Sequence, residues 1–123
     1  GYPYPDGEAA IWRIEDLNGD GDALDQGESE PFVTGLTAVT DIAFGTDGTL
    51  YIAEFSSDTE KVLEGGDFGK NAKSMPGRVL IWNGSETTVF VKDVVSPTSL
   101  LTTDSTLYIT EEFAGKVTKR SLN

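Results

Sequence analysis

The stretch Asp47-Gly-Thr-Leu-Tyr-Ile-Ala-Glu54 decides how this chain folds, because it occurs twice. Its second copy is Asp104-Ser-Thr-Leu-Tyr-Ile-Thr-Glu111, with Ser105 in place of the turn glycine. Outward from that anchor, Ile42-Ala-Phe44 falls on Ser99-Leu-Leu101. With one residue of slippage, Phe32-Val-Thr-Gly-Leu36 falls on Phe90-Val-Lys-Asp-Val94. A third segment, Gly77-Arg-Val-Leu-Ile-Trp82, matches Gly115-Lys-Val-Thr-Lys-Arg120 and, more loosely, Glu8-Ala-Ala-Ile-Trp-Arg13. Short runs recurring at a fixed, domain-fraction period indicate an array of equivalent structural units.

Each run is short and rich in β-branched and aromatic residues, so each reads as a strand. The Asp47-Gly48 dipeptide between two apolar runs is a hairpin signal, since glycine accepts the positive φ of a primed turn. Asn83-Gly84 plays the same part between the runs at 79–82 and 88–91. The order is strand, turn, strand, long loop, strand, turn, strand, which makes one antiparallel four-stranded sheet per repeat. Runs that are apolar at successive positions imply burial on both faces, as when sheets stack.

The units resemble blades of NHL-type β-propellers, related to the senescence-marker-protein and gluconolactonase propellers. The hairpin at 47–54 followed by Gly77 to Trp82 carries the resemblance, and the copy at 104–120 repeats it. The N-terminal Ile11-Trp-Arg-Ile14 with its acidic run resembles secreted bacterial propellers, some linked to cyanobacterial scytonemin gene clusters. The implied fold is all-β and β-propeller-like, one module over residues 1–123. It divides into a partial blade with a calcium-type loop (1–38), a complete blade (39–95) and a second partial blade (96–123). Two strands, four strands and three strands make nine, too few for the roughly four to eight blades of a closed ring. The chain therefore reads as a fragment or as a subunit that associates through open strand edges, in a homo-oligomer or filament.

The chain has 123 residues, enough for one core. Its 21 acids face 9 bases and no histidine, a net charge of −12 that would repel nucleic acid and anionic membrane. The imbalance is local: residues 1–67 hold 16 acids and 2 bases, residues 68–123 hold 5 acids and 7 bases. Without His or Cys there is no imidazole base, thiol nucleophile, iron–sulfur ligand or disulfide. Carboxylate, hydroxyl and amide groups remain, a set suited to hard cations and to sugar-type ligands. No apolar run approaches membrane-spanning length. A start at Gly1 reads as a processed mature protein or a fragment, and the resemblance implies a secreted, extracellular one.

The strongest local signal is Asp16-Leu-Asn-Gly-Asp-Gly-Asp-Ala-Leu-Asp-Gln-Gly-Glu28. Asp16, Asn18, Asp20 and Asp22 occupy positions 1, 3, 5 and 7 of an EF-hand-like calcium loop, with Gly21 at position 6. Gly27 stands at position 12, where the bidentate glutamate belongs, so Asp25 or Glu28 must supply that ligand. The alternative is a solvated acidic hairpin whose Asp and Gly only form turns. Crowded carboxylates favour a cation, and calcium is the expected cofactor.

Glu54 and Glu111 end equivalent strands. The resemblance implies that they are candidate ligands of a central metal in a lactonase-like enzyme; an acid there also serves by accepting backbone N–H groups. Trp12 and Trp82 read as packing residues, with a carbohydrate platform as the alternative. The insertion at 56–76 reads as a polar excursion. A non-enzymatic binding, structural or assembly role is expected, the alternative being a fragment of a metal-dependent lactonase or hydrolase; no small-molecule or glycan ligand can be named.

Overall fold

The computed structural model describes residues 7–56 and 66–122. Among the described residues, nine strands form three antiparallel sheets. The first contains β1 (Ala9–Ile14) and β2 (Ser29–Leu36). The second runs in the order β3 (Val39–Phe44), β4 (Leu50–Glu54), β5 (Gly77–Trp82), β6 (Thr87–Val94). The third contains β7 (Pro97–Thr102), β8 (Thr106–Glu111) and β9 (Lys116–Ser121). The fold is all-β with antiparallel sheets of two, four and three strands.

The sheets stack face to face, and β4 explains why. All five of its residues are buried. Leu50 and Ile52 pack with Leu80 against Val33 and Leu36 of the first sheet. Tyr51 and Ala53, on the opposite face of the strand, pack with Val79, Val91 and Val94 against Leu100, Leu107 and Ile109 of the third. A strand covered on both sides is selected for unbroken apolar sequence instead of alternation. The edge strands β3 and β7 are also joined directly. The Thr40 hydroxyl donates to the Pro97 carbonyl at 2.6 Å, the Thr102 hydroxyl to the Phe44 carbonyl at 2.6 Å, and the Leu100 amide to Asp41 Oδ2 at 2.7 Å.

The repeat persists in backbone detail. Ile11 pairs with Val33 and Trp12 with Pro31; Val79 pairs with Val91 and Leu80 with Val89, so the same bulge interrupts both ladders. A second shared irregularity follows Ala9 and Gly77, where Gly35 (φ 73°) and Asp93 (φ 59°) take the same left-handed conformation. Asparagine and aspartate tolerate that region better than other side chains, which explains how Asp93 stands in for a glycine.

Two sequence alignments shift by one residue. Ile42 pairs with Ile52 and Leu100 with Ile109, so Ile42-Ala43-Phe44 corresponds to Leu100-Leu101-Thr102 and not to residues 99–101. The one-residue difference between repeats is thereby placed in the hairpin turn, where 45–49 is a residue longer than its counterpart. In the first sheet Ala9, not Glu8, corresponds to Gly77, so Trp12 takes the place of Leu80 and Ile14 that of Trp82.

Within the insertion, residues 57–65, including Asp58, Glu60, Lys61 and Glu64, lie outside the described residues. After them comes a helix, α1 (Phe68–Ser74), where the sequence suggested only a polar excursion. Asp67 caps it, accepting the Lys70 amide at 3.2 Å. Gly77 then follows at a point of close approach: a Cβ there would lie 1.9 Å from the Glu54 carbonyl oxygen.

Candidate metal centre

The loop 15–28 joins β1 to β2 and folds around its own carboxylates. Asp16 receives the amides of Gly19 at 2.9 Å and Asp20 at 3.2 Å on Oδ1, and that of Gly21 at 2.8 Å on Oδ2. Asp20 accepts the Asp22 amide at 3.0 Å and Asp22 accepts that of Leu24 at 3.1 Å. These are two-residue Asx turns that wind the chain tightly enough to bring alternate side chains to one side. Glu28 is the centre. It is 3% exposed, accepts the amides of Leu17 at 3.0 Å and Asn18 at 3.3 Å on Oε1, and accepts that of Asp25 at 3.2 Å on Oε2.

Carboxylate oxygens of Asp20, Asp22, Asp25 and Glu28 all lie within 4.8 Å of one another. Calcium binds oxygen at ~2.3–2.6 Å, so opposite ligands on one ion stand about 5 Å apart. The spread of the four oxygens fits that sphere, and an all-carboxylate donor set fits a hard cation. A carboxylate offers about four lone-pair sites, so Glu28 can hold amides and still present an oxygen. The Asp22 amide, first, and the facing Asp25 side chain hold the Asp20 carboxyl below its ordinary range.

The six residues picked out by spacing take different places in the loop. Asp16 is not one of the four converging acids; its oxygens organise the turn through three amides. Asn18 donates through Nδ2 to Asp25 at 2.7 Å while its Oδ1 accepts the Asp20 amide, so it positions Asp25. Asp25 and Glu28 both join the group, where the spacing asked for one of them. The EF-hand count assumes a helix after position 12; here the chain returns to β2 at Ser29, and the last acid before the strand is the one drawn inward.

Glu54 and Glu111 are both buried and do the same work in successive sheets. Glu54 accepts the Thr37 amide at 2.5 Å and Arg78 Nε at 2.5 Å. Glu111 accepts the Val95 amide at 2.8 Å and the Thr118 hydroxyl, with Lys116 at 3.8 Å. Beside each, a second bond closes the corner: the Phe55 amide donates to the Ala38 carbonyl at 2.9 Å and the Glu112 amide to the Ser96 carbonyl at 3.2 Å. Ala38 and Ser96 sit there with φ near 45°. Each glutamate clasps the connection by which the chain leaves one sheet and enters the next.

Trp82 packs against the cluster between the first two sheets, with Phe32 edge-on at 6.0 Å. Trp12 is exposed. No described helix is long and apolar enough to cross a membrane. Comparison with known proteins finds no matching family model, no matching curated protein and no matching solved structure.

Proposed function

We propose that the chain is a calcium-binding, β-propeller-like module of a secreted extracellular protein, with a structural and self-associating role and no catalytic one. The observation that carries the calcium reading is the convergence of Asp20, Asp22, Asp25 and Glu28 on one ion-sized sphere. In this reading these residues hold the ion, Asn18 and Asp16 position them, and the ion cancels their mutual repulsion so that β1 and β2 are joined by an ordered loop. The blade reading is supported by stacked sheets whose bulges and glutamate corners recur. The assembly reading is supported by the outermost sheets, each with an uncovered face.

The alternative, a piece of a metal-dependent lactonase, would use Glu54 and Glu111 as ligands. Their oxygens are engaged with backbone amides and with Arg78 or Thr118, which favours the structural role. Calorimetry with and without chelator tests the calcium reading, since an ion bound only by the folded chain stabilises it by about 2.7 kcal/mol at a hundredfold excess over Kd. Asp20→Ala should erase the calcium-dependent rise in Tm. An unchanged Tm, with no calcium retained on dialysis, would sink the proposal; lactone turnover lost in Glu54→Gln would favour the alternative.

A further inference from the structure

The three sheets are related by one recurring contact, and that contact is left open at both ends of the stack. In the second sheet Ala43, Tyr51, Ala53 and Val79 form the face that the third sheet covers. Strand register places Leu101, Tyr108, Thr110 and Val117 at the same positions of the third sheet. There the face is bare: Leu101 is 62% and Val117 63% exposed, whereas Val79 is fully buried.

The opposite end is complementary. Leu80 and Trp82 of the second sheet point toward the first. Register puts Trp12 and Ile14 at those two positions of the first sheet, where they are 55% and 68% exposed. Exposed apolar groups clustered on one face, at positions buried elsewhere in the same molecule, mark a docking surface. Along β9, Lys119 alternates onto the same face as Val117, whereas Lys116 and Arg120 stand on the opposite face.

We infer that the first sheet of a second copy, through Trp12 and Ile14, seats on the outer face of the third sheet at Leu101, Tyr108 and Val117. The inference rests on the self-association proposed above and specifies its geometry: face to face and head to tail. The contact joins two different surfaces, so it is heterologous and leaves one free surface at each end.

Sedimentation of the folded chain over a concentration series, with Trp12→Asp and Val117→Asp alone and mixed, tests the geometry. The expected result is a wild-type mass that rises with concentration and two variants that each stay at one chain, with Kd raised at least tenfold. Mixed in equal amounts, the variants should form a species of two chains and nothing heavier, because each supplies the surface the other lacks. The side chains of Trp12, Leu101 and Val117 are solvent-facing, so circular dichroism of the variants should remain native; should Val117→Asp fail to fold, Leu101→Asp serves the same arm. A wild type that stays at one chain up to millimolar concentration overturns the assembly reading and this inference together. A wild type that assembles while Val117→Asp and Leu101→Asp assemble equally well overturns this inference alone, since strand-edge pairing does not need those side chains.

Discussion

Replacing Glu54 by glutamine removes one charge and leaves the side-chain shape in place. The carboxylate is 2% exposed and receives two short contacts, from the Thr37 amide and from Arg78 Nε. A hydrogen bond to a charged group is worth ~1.5–3 kcal/mol and a neutral one about 1 kcal/mol, so the Thr37 contact loses about 1–2 kcal/mol. The Arg78 side chain is 46% exposed, and water can replace its partner, so its loss is at most about 1 kcal/mol. The expected total is about 2 kcal/mol, or roughly 8 °C in Tm for a chain of this length. Arg78→Gln should cost under about 1 kcal/mol, and Glu54→Ala roughly twice the glutamine value, because it strands a buried amide. Urea unfolding at neutral pH, in millimolar calcium and after chelation, measures these differences. The loss should be the same in both conditions, since the contacts counted are those from the Thr37 amide and Arg78. A loss below about 0.5 kcal/mol, or one seen only with calcium present, would refute the reasoning.

Gly77→Ala drives a methyl into the Glu54 carbonyl at the head of β5, where backbone on both sides is held in register, and should cost ~3 kcal/mol or more, read as a lower urea midpoint at unchanged slope. Asp47 accepts the Thr49 amide at 3.0 Å, and that bond holds its carboxyl below the ordinary range. A depressed folded pKa contributes stability that is full above the unfolded value and lost as pH falls through the folded one, so Asp47→Asn should flatten the stability profile below about pH 4; an NMR titration placing the Asp47 midpoint at the free-carboxylate value would refute this.

Strand identity and sheet membership were legible because apolar runs, turn dipeptides and the internal repeat are all local in sequence. The register of those repeats was less so. A single extra residue can be absorbed in a hairpin turn or in a bulge at no visible change in composition, and only the Ile42–Ile52 and Leu100–Ile109 pairings place it in the turn. Helix α1 was missed because its seven residues carry no apolar period of their own. The acidic loop was recognised from spacing, but its arrangement was not. Counting from Asp16 predicts ligands by analogy with a loop that leads into a helix, whereas the return to β2 draws Glu28 inward and turns Asp16 and Asn18 to backbone and side-chain support.

Because β4 contributes to both hydrophobic clusters through alternate side chains, neither layer of the stack can loosen without disturbing the other. A void opened at Ile52 on one side displaces the same backbone that holds Tyr51 and Ala53 on the other. The expected consequence is unfolding as a single cooperative unit despite the modular plan, with hydrogen exchange slowest at the amides of β4.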